Sequence, residues 1–357
     1  MKINFLNIIW IVSIITSCTP SKPPVMQVGE GVANYDSTDQ TNDFYDNEPI
    51  VNLPGSKVVE ISGEVAQPVT VTLSTLPVRS VIVKETRIEQ GEIRFTGAYR
   101  YDGISLYDLL NQVKVIKKNA ADFKPVIDQY VVVYNAAGDS VVFSWGELFY
   151  PVQRHQILIA NQVMRIVPGK TKDKWPLPVI SRIIVGSDLI TERNISDPVK
   201  IVVRSMNVNY KVDRLVKLWA PEMTIEGVDN KSYILKELPA GLIRYEFKHV
   251  FYGRGMGIHG ITQTKGVYLK DLFSADLPAD VDLIRNGLFA VAGLDGYRCA
   301  VTWSELMNRN DNAEVMIMDE NNYEGAGKFS CLITADFFSD RAIKSISEIR
   351  LVQGGRL

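Results

Sequence analysis

Apolar and polar residues alternate with a period of two through VVEISGEV (58–65) and EMTIEGV (222–228), the pattern of a half-buried strand. YVVVY (130–134) is a continuous apolar run of strand length and predicts a strand buried on both faces. PVKIVV (198–203) and ISEIRLV (346–352) predict two further strands. Helical spacing is rarer and shorter. Leu106, Leu109 and Leu110 share one helix face in YDGISLYDLL, and each Leu-x-x-Leu-Pro block gives one helical turn stopped before a proline. Ser144 with Glu147, and Thr302 with Glu305, have the spacing of a capping box at a helix start. The prediction is an α+β fold, rich in strands, with few and short helices.

The pattern is written twice. YDGISLYDLL (101–110) and TKGVYLKDLF (264–273) share Gly–(Ile/Val)–x–Leu–x–Asp–Leu. Ile61–Val65 matches Ile225–Asp229, Leu73–Pro77 matches Leu235–Pro239, and residues 130–148 match 288–306. Blocks repeated in the same order predict a tandem duplication. The expected copies are residues 55–205 and 220–357, joined by a linker at 206–219.

Composition narrows the function. The 357 residues are 46% hydrophobic and 22% charged with net charge −2, so no basic excess points to nucleic acid. The amino-terminal stretch has Lys2, a short apolar run from Ile8 to Ile15, and then Ile15-Thr16-Ser17-Cys18. That run is too short for a membrane span but suits an export signal, and its ending resembles a bacterial lipobox. Residues 1–17 are therefore expected to be a lipoprotein signal peptide and Cys18 the lipidated residue. Thr19 after it resembles lipoproteins sent to the outer membrane. Residues 18–54, with Glu30, Asp36, Asp39, Asp43, Asp46 and Glu48 and no base between them, read as an acidic tether. The expected location is a Gram-negative outer (or inner) membrane, facing the periplasm or the cell surface.

The order of blocks resembles the oxidoreductase molybdopterin-binding domain, the fold of sulfite oxidase. Met164-Arg165-Ile166-Val167-Pro168-Gly169-Lys170 matches a late segment of that family. The resemblance covers both copies and implies two tandem sulfite oxidase-like domains. It implies pterin-phosphate contacts from Arg154, His155, Arg165, Lys170, Lys172 and Lys174. In the family a cysteine thiolate between the Leu-Pro and Gly-x-x-Leu-x-Asp blocks binds molybdenum. Neither copy has a cysteine there, and Cys299 and Cys331 fall elsewhere. No catalytic residue is assigned.

One further stretch carries candidate chemistry. GRGMGIHG (253–260) has the spelling of a dinucleotide loop but is followed by strand-like ITQTKGVYL rather than a helix. What remains is a glycine-rich basic loop with Arg244, His249, Arg254 and His259, suited to an anion or a planar ligand. The leading expectation is a membrane-anchored lipoprotein that binds a small anionic ligand or a protein partner and has no catalytic role. The alternatives are a molybdopterin-dependent oxidoreductase without cysteine ligation, and metal or heme-like ligand binding through His249 and His259.

Overall fold

The computed structural model describes residues 48–228, 231–273, 280–319 and 327–353. The first half runs β1 (Val51–Asn52), β2 (Val58–Gly63), β3 (Val69–Thr72), β4 (Val78–Glu89) and β5 (Glu92–Ser105) into a one-turn helix, α1 (Leu106–Leu110). It continues through β6 (Gln129–Asn135), β7 (Ser140–Ser144) and α2 (Trp145–Phe149) to β8 (Ile157–Arg165), β9 (Arg182–Val185) and β10 (Pro198–Ser205). The second half has β11 (Met223–Val228), β12 (Lys231–Leu235), β13 (Tyr245–Gly253), β14 (Gly257–Tyr268) and α3 (Val281–Asn286). It ends with β15 (Gly287–Gly293), β16 (Arg298–Thr302), α4 (Trp303–Met307), β17 (Val315–Met318), β18 (Ser330–Ile333) and β19 (Ile346–Gln353).

These strands form four small sheets, arranged as the four blades of a β-propeller. The five-stranded mixed sheet of the first half has the order β3-β2-β10-β6-β7, and that of the second half β12-β11-β19-β15-β16. In each, the last strand inserts parallel to the first long one: β10 on β2, β19 on β11. The two antiparallel sheets run β4-β5-β8-β9, with β1 also on β8, and β13-β14-β17-β18. Corresponding sheets therefore share one strand order.

Two tandem sulfite oxidase-like α+β domains are not what the chain forms. Strand accounts for 47% of the structure against 12% helix, and the four α-helices among the described residues have five or six residues each. The glycine-rich stretch at 253–260, expected as a loop, is the end of a long hairpin, β13–β14, whose counterpart in the first half is β4–β5. One hydrophobic cluster takes Ile61, Phe143 and Val203 from the first half together with Phe289, Val301 and Ile349 from the second. Residues 43–357 accordingly form one unit. The molybdopterin-domain fold falls with this correction, and the oxidoreductase-like architecture with it.

Local chemistry explains several elements. Gly103 and Gly266 sit inside strands, not at turns. A Cβ on either would lie 2.1 Å from the Ile159 carbonyl oxygen or 2.3 Å from that of Ile317, so glycine permits the neighbouring strand to approach. Both capping boxes form: Ser144 and Thr302 accept from the Glu147 and Glu305 amides, and each glutamate side chain accepts from its cap's amide.

Those glutamates also join the halves. Ser144 Oγ donates to Glu305 Oε2 at 2.5 Å, and Thr302 Oγ1 donates to Glu147 Oε1 at 3.3 Å. Behind each lies a fully buried arginine. Arg193 grips Asp188 through Nε and Nη2 at 2.8 and 2.7 Å and reaches Glu147 at 3.0 Å. Arg341 grips Asp336 at the same two distances and reaches Glu305 at 2.8 Å. Bidentate geometry of this kind is what allows a charged group to be buried, because each donor keeps a partner. Burial pushes Asp336 up to about 6 despite the opposing pull of Arg341.

Candidate functional site

The β13–β14 hairpin alternates half-buried and exposed positions from Tyr245 to Gly253, so Tyr245, Phe247, His249 and Phe251 share one face. The pairing slips between Phe251 and Tyr252, and His259 is the extra residue of the resulting bulge. A bulge bends a strand and re-aims a side chain. The hairpin end is tied to the turn after β18. Tyr252 N–H donates to Ser339 Oγ at 3.2 Å, and Arg254 N–H donates to Asp340 Oδ2 at 3.3 Å.

Beneath this end lies a cavity of about 690 Å³. Its walls are Phe251, Gly253, His259 and Thr262 of the hairpin, Asp295 and Tyr297 of the β15–β16 turn, and Asp340 and Ala342. Leu218 and Met256 add apolar surface at the edge, and Arg254 and Lys344 complete the lining. The size falls within the range of small-molecule sites, which combine a mainly apolar wall with a few placed polar groups. The polar groups here have defined positions. Tyr297 O–H donates to the Asp340 carbonyl at 3.1 Å, and burial, followed by the Asp340 charge, raises its pKa. His259 meets the Phe251 ring edge-on at 5.8 Å between centroids. A Cβ on Gly253 would stand 2.9 Å from His259 Nε2, so this glycine lets the imidazole lie across the hairpin.

The matching place in the first half is filled. The β4–β5 hairpin carries the same bulge, between Glu85 and Thr86, and the same two ties. Thr86 N–H donates to Thr191 Oγ1 at 3.1 Å, and Ile88 N–H to Glu192 Oε1 at 3.0 Å. Register and hydrogen bonds thus equate Glu85, Arg87, Tyr99 and Asn194 with Phe251, Gly253, Thr262 and Ala342. In the first half these four side chains occupy the space. Tyr101 O–H and the Asn194 side-chain amide donate to Glu85 at 2.9 and 3.1 Å. Arg87 donates to Glu192 at 3.0 Å and to the Asn194 carbonyl at 3.2 Å. Tyr99 is 2% exposed, with its hydroxyl on the Pro176 carbonyl at 2.6 Å. In the second half their replacements are shorter or lack polar atoms, and the cavity stands in their place.

The sequence-predicted residues scatter around this centre. Of the four in the glycine-rich stretch, Arg254 and His259 line the cavity. Arg244 does not line it, and forms a two-pronged pair with Asp319 at 2.6 and 2.7 Å. His249 does not line the cavity and packs edge-on with the Phe251 ring, 6.0 Å between centroids, with Nε2 buried and unpartnered, and burial lowers its pKa. Each of the two imidazoles expected to share a metal instead packs edge-on with the Phe251 ring. The described residues hold no cluster of three or more His, Cys, Asp or Glu placed for a metal ion.

The six basic residues of the first half fall into separate places. Arg154 donates to Tyr107 O–H at 3.2 Å beside a second cavity of about 330 Å³ between the halves. His155 Nδ1 sits 3.0 Å from Ser105 Oγ and 3.6 Å from Asp108, with its pKa lowered by burial and by Arg79. Arg165 donates to the Trp175 carbonyl at 2.6 Å, and it joins Lys174 on Glu48 at 3.6 and 2.8 Å. Lys170 and Lys172 are exposed in the loop between β8 and β9. The six do not converge on one anion cradle. Cys18 lies outside the described residues.

Phe251, Thr262, Asp295, Tyr297, Asp340 and Ala342 escaped sequence reasoning. The signal that marks several of them was available in the repeat: a charged or amide side chain in one copy faces phenylalanine, glycine or alanine in the other. No family model matches the chain, and no curated protein matches it significantly.

Proposed function

We propose that this chain is an exported, lipid-anchored binding protein without a catalytic role, and that its ligand site is the cavity under the β13–β14 hairpin. The observation that carries the reading is the contrast between the halves. The same backbone frame is closed by Glu85, Arg87, Tyr99 and Asn194 in one and left hollow by Phe251, Gly253, Thr262 and Ala342 in the other. A pocket of this size with a mainly apolar wall and a few placed polar groups is the usual form of a small-molecule site. The anchor rests on the amino-terminal signature, with the tether giving the folded unit reach from the membrane surface.

A small-molecule screen by thermal shift tests the site. A ligand of the cavity raises the melting midpoint of the wild type by mass action and leaves Gly253→Arg/Ala342→Asn unmoved, since that variant restores the side chains of the first half. A screen whose hits stabilise both proteins alike sinks the proposal. For the anchor, the expected outcome is that Cys18→Ala moves the protein from the membrane fraction to the soluble fraction of the host. Retention in the membrane fraction rejects acylation as the tether.

A further inference from the structure

The filled half also shows what the hollow half lacks. In the first half the carboxylate of Glu192 and the backbone carbonyl of Asn194 receive the Arg87 guanidinium, at 3.0 and 3.2 Å. A second guanidinium, from Arg285, donates to the Glu192 carbonyl at 2.9 Å and lies 3.5 Å from its carboxylate. In the second half Asp340 takes the place of Glu192 and Ala342 that of Asn194, while Gly253 stands where Arg87 would. Asp340 accepts the backbone N–H of Arg254, as Glu192 accepts that of Ile88, so the carboxylate keeps its position. It has no ion-pair partner among the described residues.

We infer that the cavity takes an organic cation: a guanidinium or primary ammonium group, carried on a flat apolar body, that occupies the place of the missing Arg87 side chain. This rests on the cavity's being a ligand site, as proposed above. The charged group meets Asp340 and the Ala342 carbonyl, the pair that has its bound counterpart in the first half. Asp295 adds a second carboxylate to the lining. The body packs against Phe251 and Tyr297, which line the cavity and offer aromatic area to an apolar group. Arg254 and Lys344 also line the cavity. The Arg254 guanidinium is drawn toward the Tyr150 ring, with Cζ 6.0 Å from its centroid. The two bases offset the two acids overall, so the preference comes from the local placement of the Asp340 carboxylate rather than from net charge.

Three probes of nearly one shape test this by isothermal titration of the full chain: phenylguanidine, its neutral isostere phenylurea, and the anion phenylacetate. The expected result is that phenylguanidine binds at least about tenfold more tightly than phenylurea, and that Asp340→Asn removes the difference. Gly253→Arg, which supplies the missing guanidinium in cis once the His259 imidazole turns aside, is expected to abolish phenylguanidine binding. Should that variant fold poorly, Thr262→Tyr fills the same space with the side chain of the first half. Equal binding of phenylurea, or a preference for phenylacetate, that is lost in the filled variants overturns the cation and leaves the cavity as the binding site. Phenylguanidine binding that survives Gly253→Arg places the ligand elsewhere and overturns both readings, as does the failure of all three probes to bind.

Discussion

At the residue scale, Glu147 and Glu305 show how one position in a repeat acquires two electrostatic characters. Each caps a helix, faces a buried arginine, and accepts a hydroxyl from the other half. Burial is the largest influence on both. For Glu147 it prevails over Arg193 and raises the pKa; for Glu305 it is overcome by Arg341 and the Ser144 hydroxyl, and the pKa falls. A raised folded value means that the native state holds the proton more tightly. The stabilisation from Glu147 is therefore complete below the ordinary value of 4.5 and is lost as pH rises toward the folded value. For Glu305 it is present above 4.5 and lost as pH falls through the lowered folded value. Melting curves of Glu147→Gln and Glu305→Gln against pH are expected to differ from wild type with slopes of opposite sign, on opposite sides of 4.5. Slopes of the same sign contradict the assignment. Either substitution leaves its arginine one charge short; removing a partner from a buried pair costs about 3–5 kcal/mol.

At the element scale, the sequence was legible where local rules decide and silent where they do not. Alternation in VVEISGEV and the apolar run in YVVVY are local, and both became strands, β2 and β6. Ser144–Glu147 and Thr302–Glu305 are local as well, and both became capping boxes. Of the two hairpins only ITQTKGVYL, most of which falls in β14, read as strand; β4, β5 and β13 were missed because they carry charged and exposed residues on one face and the bulges sit beside glycines. Stretches such as those around Lys84, Arg94 and Lys248 give no clean period. The family resemblance was carried by short structural blocks, and such blocks recur across unrelated architectures. Candidate residues chosen for charge alone scattered, because surface bases find nearby acids: Arg244 finds Asp319, and Lys174 finds Glu48. The cavity residues were legible only as differences between copies, such as Arg87 against Gly253, which no single window reveals.

At the scale of the whole molecule, the two halves share one apolar core and exchange hydroxyl–carboxylate bonds at its centre. The halves cannot part without exposing some of that core and breaking the Ser144–Glu305 and Thr302–Glu147 hydrogen bonds. Calorimetry is expected to show one transition whose calorimetric and van't Hoff enthalpies agree. Two resolved transitions, or an isolated half that melts cooperatively, contradict this coupling. The pairing of β10 with β2 has a consequence in time. Lys200 must find Glu60, and in the second half Glu348 must find Thr224. Each mixed sheet therefore stays open until nearly all of its half has arrived, and contacts so distant along the chain form slowly. For a protein proposed to cross a membrane as an extended thread, that delay acts as a clock. The thread remains threadable while its amino end passes, and each half locks only when its own last strand comes through.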